Sequence, residues 1–441
     1  MDRCPDEIIR FIVEWQNQIL RIQGIYREYL DVLHATIGSK PIKIITGFRR
    51  SGKSFLVQLA ARKLIENNTF SVSNILYLNF EDFRLAGINT PEKLDSFYRV
   101  FRSEIADVKK KLLIFDEIQN VNNWDRFIRT IYETDRDVEI ILTGSNSRLL
   151  SSEIGSNLAG RFIELSILPF DFKEYLRYMD IKISNAEGYF RNHEKIHYHF
   201  SQYVKFGGLS EILTINSETA RFSYIEGIIS KVILDDIIKR FNIKHTTVVE
   251  KTLFYLFSAI GNIISFIKIS NYLKRLDISI KNETLIKYVQ YMLTTFAIYE
   301  TNKFDWKLGK FFGTTRKYYA VDTGVVNLYP GMVSNYSKQL ENIVFLKLKR
   351  DRKKIYFGAL SSGKEIDFIA QTADGGFEKY QVTQTLHKDN YDRELSSFLL
   401  QNTYLEDGKN IVLTLDENEE EIEYQDAKVL KRNLIRWLLG L

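Results

Sequence analysis

The chain has 441 residues, 45% of them hydrophobic and 13% aromatic, enough for several cores and too many for one. This composition excludes a disordered or fibrous protein, and a net charge of +5, from 61 Lys+Arg against 56 Asp+Glu, permits a nucleic-acid partner without demanding one. A single cysteine, Cys4, precludes an internal disulfide, and with no cleavable apolar leader and no bilayer-length apolar run a cytoplasmic protein with no membrane partner is expected.

Residues 5–35 carry Ile8, Ile9, Ile12, Val13, Ile19 and Leu20 at helical spacing, the pattern of an N-terminal helical strap over 1–35. The period then shortens. Apolar runs at Ile42–Thr46, Ile75–Asn79, Leu112–Phe115, Ile140–Thr143 and Phe162–Leu165 alternate with helical patterns, which predicts βαβ units around a parallel sheet over 36–168. Beyond Pro169 the strand signal stops for about 150 residues. Phe172–Tyr178 and Ala220–Arg240 read as helices of a helical lid region, 169–245. Within it His193, His197 and His199 include an i, i+4 pair that would grip a metal if a third ligand joined; a solvated, aromatic-rich helix is the simpler reading. The stretch Leu253–Ile267, broken only by Ser258, Gly261, Asn262 and Ser265, reads as a buried helix. Ile267–Leu273, Asp277-Ile278-Ser279 and Thr284–Val289 then read as helix, turn, helix, with Ser279 or Asn282 near the second cap, and predict a winged-helix-like domain over 246–317. Only Lys281 and Lys287 are basic between Ile278 and Ile298, so domain packing or partner binding is as well supported as DNA reading. From about residue 318 the pattern mixes again, with an amphipathic stretch at Leu340–Lys349, strands at Ile355–Phe357, Ile366–Ala370 and Lys379–Thr383, a helix near Arg393–Leu400 and a strand at Ile411–Leu415. These predict a separate C-terminal α/β domain, 318–441.

Gly47-Phe48-Arg49-Arg50-Ser51-Gly52-Lys53-Ser54, followed by Phe55, fits the G-x-x-x-x-G-K-[ST] phosphate loop and lies between a predicted strand and a predicted helix. Its glycines let successive N–H groups curl around phosphates, Lys53 reaches the β/γ-phosphates of ATP, and the Ser54 hydroxyl ligates Mg²⁺. Leu112–Glu117 is a strand apolar on both faces that ends in two carboxylates, a Walker B pattern. Asp116 is the candidate Mg²⁺ holder and Glu117 the group that polarises the attacking water. Ser145 or Asn146, after the strand Val138–Thr143, is the candidate γ-phosphate sensor. Asn79 either holds Glu117 away from the water or caps its own turn, and Arg161 is a candidate arginine finger for a neighbour's nucleotide.

The motifs Gly47–Ser54, Tyr77–Asp82, Phe115–Gln119, Thr143-Gly144-Ser145, Leu158–Arg161, Phe206-Gly207-Gly208, Tyr319–Gly324 and Gly363–Phe368 together resemble a family of archaeal and bacterial AAA-type P-loop ATPases with a C-terminal domain of unknown function related to restriction-endonuclease-like folds. The resemblance implies an AAA-like parallel sheet in the order 5-1-4-3-2, a helical and winged-helix middle, and ring or pairwise contacts through Arg161, hence a homo-oligomer. In the C-terminal domain Glu341, Glu365 and Asp367 form an acidic set like that of PD-(D/E)xK nucleases, with Glu341 and Asp367 as candidate metal ligands. Where those nucleases carry E-x-K this chain has Gln381 and Thr383, for which Arg393 and Glu394 would partly substitute. The expected function is that of a Mg²⁺-dependent ATPase acting on a macromolecular partner, DNA or another protein. The alternatives are a slow nucleotide-dependent binding switch and an ATP-gated nuclease.

Overall fold

The computed structural model describes residues 4–147, 158–304, 315–328, 336–359, 364–372, 374–399 and 408–441; Gly363 and Leu400, which fall in two of the sequence patterns, lie outside them. Contacts divide the chain into two compact units, Met1–Ile167 and Leu168–Leu441.

In the first unit β1 (Ile42–Gly47), β2 (Ile75–Asn79), β3 (Lys111–Asp116), β4 (Val138–Gly144) and β5 (Phe162–Ile167) form a wholly parallel sheet. Its order, β2-β3-β4-β1-β5, is the expected 5-1-4-3-2 read from the other edge. Helices cover both faces of such a sheet, so its central strands are continuous apolar runs: β1 and β3 are buried along their entire length. The helix Pro5–Arg21 belongs to the same core. Its inward stripe is Ile8, Phe11, Ile12, Trp15 and Ile19, while Val13 and Leu20 of the predicted face point outward. Trp15 packs on Tyr77 with ring centroids 4.7 Å apart, and Gln16 Nε2 donates to the Ile75 carbonyl at 2.9 Å. This helix therefore packs as a strap on one face of the parallel sheet.

The second unit is built on a nine-stranded mixed sheet. Its strands are β6 (Ile263–Ile264), β7 (Ile298–Lys303), β8 (Arg316–Ala320), β9 (Lys354–Ala359), β10 (Glu365–Gln371), β11 (Phe377–Val382), β12 (Lys409–Thr414), β13 (Glu420–Tyr424) and β14 (Ala427–Asn433), in the order β13-β14-β12-β11-β10-β9-β7-β8-β6. β9, β10 and β11 are antiparallel neighbours, and β12 joins β11 in parallel. In the stretch after Pro169 where periodicity predicts no strand lie β6 and β7: β6 has two residues, and β7 follows a helix, Asn282–Thr294, whose apolar spacing runs on into it. Parallel pairing of β7 with β9 places strands from either side of residue 318 in one sheet. The stretch Leu253–Ile267 is not one helix. A helix ends at Ser258, Gly261 takes a φ of +67° that favours glycine, and Ser265 caps a second helix, Phe266–Lys274, on which Ile267 is exposed. Among the described residues no helix is long and apolar enough to cross a membrane.

Two sequence motifs meet at one buried carboxylate. Asp322 accepts hydrogen bonds from the backbone N–H groups of Gly208, at 2.7 Å, and Gly324, at 2.8 Å. A side chain at Gly207 would collide with the same carboxylate, 1.6 Å from its Oδ1, and the φ of +80° there also demands glycine. Burial pushes Asp322 up to about 6 against the two N–H groups, which favour its charged form. An acid raised in the folded state holds its proton longer there than when unfolded, so the stability it contributes is full below about pH 4 and lost as pH rises through about 6. Urea unfolding of wild type and Asp322→Asn should therefore show a stability gap that narrows between these two pH values; a constant gap contradicts it.

Candidate nucleotide-binding site

β1 and β3 end at one edge of the parallel sheet, where open α/β sheets bind ligands. β1 delivers the loop 47–54, and Gly52, with φ +88°, starts the helix Lys53–Glu66 and directs its free first-turn N–H groups into the loop. Gly47 has no room for a side chain: a Cβ would lie 2.3 Å from the Ile167 carbonyl. Phe48 is fully buried and leaves only its backbone at the loop, whereas Phe55 is partly exposed and its ring covers Gly24. Arg50 adopts a left-handed φ of 63°, and Arg49 pairs with Glu81 at 3.3 Å. The Lys53 ammonium donates to the carbonyls of Gly47 and Phe48, both at 3.2 Å, and stands 3.3 Å from Glu117.

Asp116 and Glu117 are both buried, and their partners separate their roles. Asp116 accepts from the Tyr77 hydroxyl at 2.5 Å, from the Thr143 hydroxyl and from Ser54, the other expected Mg²⁺ ligand. Burial, then the neighbouring Glu117 charge, pushes its carboxyl up. Burial opposes the charge of Glu117 as well, but there the Lys53 ammonium and the Gln119 amide outweigh it and hold the carboxyl below the usual glutamate range. The left-handed φ of 54° at Glu117 turns its side chain toward the loop, where Oε2 accepts from the Ser145 N–H at 3.1 Å.

These donors suit a triphosphate with a divalent cation. The Ser51 and Ser145 hydroxyls are buried and have no hydrogen-bond partner among the described residues, the Lys53 cation is at hand, and Ser54 and Asp116 are oxygen ligands in contact. Asn79 caps its own turn, accepting from the Glu81 N–H at 2.9 Å, and is absent from the hydrogen-bond partners of Glu117 among the described residues. Arg161 is not at this edge. Phe162 pairs with Ile42 and Ile167 with Gly47, so Arg161 stands just before the start of the β1–β5 pair, roughly 20 Å along the strand from the phosphate loop. It lies 3.5 Å from Glu133.

Sequence reasoning missed three supports of this site. Gln58 donates to the Tyr77 hydroxyl at 2.9 Å, and Tyr77 passes the constraint on to Asp116. Arg27, buried before the helix Tyr29–Thr36, donates to the Ser51 carbonyl at 2.8 Å and braces the outside of the loop. The Y-L-N of β2 carried a signal for Tyr77, a polar tip in an otherwise apolar strand; nothing local marked Arg27.

In the second unit Glu341 and Asp367 do come together, but around a lysine. Lys317 Nζ, fully buried on β8, lies 3.0 Å from Glu341 and 3.6 Å from Asp367 and also pairs with Glu365. Tyr319 and Lys338 complete the shell of Glu341, at 2.8 and 2.6 Å. An ammonium thus sits where a metal was expected, so the residues present do not fit a divalent ion held by Glu341 and Asp367. Gln381 accepts from the Asp367 N–H at 3.3 Å and donates to Glu394 at 3.2 Å, while the Thr383 hydroxyl is turned to the Thr385 carbonyl. Glu394 points inward, and Arg393 stays exposed beside it.

Comparison with known proteins agrees with this reading of the first unit. Residues 39–176 match a family described as "AAA domain", and residues 197–336 one described as "Domain of unknown function (DUF8612)". An "Uncharacterized protein" of Haemophilus influenzae is 31% identical over 392 residues, 85% of this chain and 93% of the relative. Another, from Methanocaldococcus jannaschii, is 30% identical over 408 residues, 91% of this chain and 88% of the relative. A solved Walker-type ATPase of Pyrococcus abyssi aligns with a TM-score of 0.45 at 14% identity, over 71% of this chain and 99% of that one. The chain belongs to this family of bacterial and archaeal proteins, and its first unit is that of an AAA-type ATPase.

Removing the buried cation of the carboxylate cluster tests its role. Lys317→Met keeps the length of the side chain and strands the acids, and should cost about 3–5 kcal/mol in urea unfolding. A loss under about 1 kcal/mol, the scale of a surface substitution, contradicts the central position of Lys317.

Proposed function

We propose that the protein hydrolyses ATP in the presence of Mg²⁺ and uses the cycle to act on a macromolecular partner, DNA or another protein. The observation that carries this reading is the convergence of Lys53, Ser54, Asp116 and Glu117 at one sheet edge, with Glu117 held charged by Lys53. Mg²⁺, when bound, neutralises charge on the β- and γ-phosphates. Ser54 and Asp116 hold it, the loop N–H groups bind the phosphates, and Lys53 exchanges Glu117 and the loop carbonyls for phosphate oxygens. Glu117, so released, orients water, and Ser145 adds a hydroxyl. A slow binding switch is the second reading, favoured by the three groups that already grip Glu117: Lys53, Gln119 and the Ser145 N–H. Nuclease action is disfavoured, because Lys317 fills the acidic cluster. The distance of Arg161 from its own loop supports action on a neighbouring copy, hence a homo-oligomer.

Phosphate release measured with and without DNA separates turnover from switching. Lys53→Ala should lose ATP binding, whereas Glu117→Gln should bind ATP and lose turnover by at least about a hundredfold. Normal hydrolysis by either variant defeats the assignment.

Arg161→Ala should keep ATP affinity and lose turnover, and mixing it with Lys53→Ala subunits should restore part of the activity, since one protein's intact site then faces the other's Arg161. A monomer with full activity refutes action between copies.

A further inference from the structure

The helix His193–Phe206 begins with two histidines one turn apart, His193 and His197, and the turn between β12 and β13 brings Glu417 to them from 224 residues away in the chain. Glu417 Oε1 lies 2.9 Å from His193 Nε2 and 3.1 Å from His197 Nε2, and all three ligand atoms fall within 4.8 Å of one another. The two imidazole ring centroids lie 4.2 Å apart with the planes tilted by 33°, and both Nε2 atoms face the carboxylate. Around a tetrahedral zinc ion, with ligand bonds of about 2.0–2.2 Å, neighbouring ligand atoms are separated by about 3.4 Å, so each histidine nitrogen stands within about half an ångström of its coordination distance from the carboxylate oxygen.

Charge points the same way. The other acids of this turn are each matched: Asp416 with Lys431 at 2.9 Å, Glu419 with Arg432 and Arg436 at 3.4 and 3.3 Å, and Glu420 with Lys431 at 3.7 Å. Glu417 meets no lysine or arginine at ion-pair distance among the described residues and faces two imidazoles instead. The three side chains are 35–45% exposed, so an ion has a route in. The hydroxyl of buried Tyr189 lies 3.2 Å from His197 Nε2 and orients that ring.

We propose that His193, His197 and Glu417 form a binding site for a divalent transition ion of the Zn²⁺ class, which clips the start of the helix His193–Phe206 to the β12–β13 turn. Two imidazoles and one carboxylate suit Zn²⁺ and disfavour Mg²⁺ and Ca²⁺, which take oxygen ligands. The site lies wholly within the second unit.

The test uses the full chain, stripped with a chelator, desalted, and titrated with Zn²⁺ against a chromophoric competitor, with Co²⁺ as a spectroscopic probe. The wild type should take up one equivalent that His193→Ala, His197→Ala and Glu417→Gln each weaken by at least about tenfold, while Lys53→Ala leaves it intact. Co²⁺ should give visible bands of low coordination number in the wild type that Glu417→Gln removes, and circular dichroism should show the Gln variant folded. If the wild type takes up no Zn²⁺, or if the folded Glu417→Gln variant binds it as well as the wild type does, the cluster is a hydrogen-bonded pair of histidines on a glutamate and the proposal falls.

Discussion

Parallel pairing in one register aligns the ends of β1, β3 and β4, and the phosphate site depends on that alignment. Thr143, on the last turn of β4, then lies beside the end of β3, where its hydroxyl donates to Asp116 and accepts the Glu117 N–H at 3.0 Å. One atom fixes the Asp116 carboxylate and the Glu117 backbone because a hydroxyl is donor and acceptor at once. Valine would match its shape and leave a buried N–H and a buried carboxylate oxygen without partners, a cost of about 1–3 kcal/mol for each group. The strand order and the polar end of β4 are therefore one requirement and not two.

Two adjacent buried carboxylates are unfavourable unless something distinguishes them. Here the distinction is made by what each one faces. Glu117 has Lys53 at 3.3 Å and is held charged; Asp116 has hydroxyls from Tyr77, Thr143 and Ser54, no cation of its own, and is pushed up. A site in which one acid already owns a cation and the other lacks one is asymmetric in the sense that phosphoryl transfer uses, with a metal holder and a water-orienting group side by side. The strain of a left-handed Glu117 is tolerated because Thr143, Ser145 and Lys53 together determine where that residue lies.

Much of the first unit was legible because its signals are local. The phosphate loop, the Walker B strand and the β1–β5 runs each occupy fewer than ten consecutive residues, and a parallel sheet buried on both faces writes itself as apolar strings. Residues that act from afar were not legible. Arg27, Gln58 and Lys317 look like ordinary surface residues until the fold carries them inward, and periodicity says nothing about which partner waits there. The hairpin of β13 and β14 was missed for another reason. The acidic run Glu419–Glu423 hides an alternating strand behind charge, and the turn at Gln425 and Asp426 lacks the usual glycine, so Gln425 itself takes a φ of 52°. Gly207 and Asp322 show the intermediate case, in which both motifs were visible and their contact was not.

The two acidic clusters of the chain resemble each other in composition and differ in their balance of charge. At the phosphate loop one lysine stands beside two carboxylates and pairs with Glu117 alone; its other partners are backbone carbonyls, contacts that phosphate oxygens can replace. In the second unit Glu341, Glu365 and Asp367 face Lys317 and Lys338, three acids against two cations. Burial, then the Glu341 charge, pushes Asp367 up to about 7, so that carboxyl carries a proton about half of the time near neutral pH and makes up part of the remaining difference. A divalent ion entering there would have to displace a buried ammonium from partners it cannot replace in an apolar interior, against a desolvation cost of several kcal/mol. Charge is thus nearer to balance around Lys317, whose ammonium is held by buried acids, whereas Lys53 is held mainly by backbone carbonyls that phosphate oxygens can replace, and this is the physical reason that the first cluster is the better suited to a ligand.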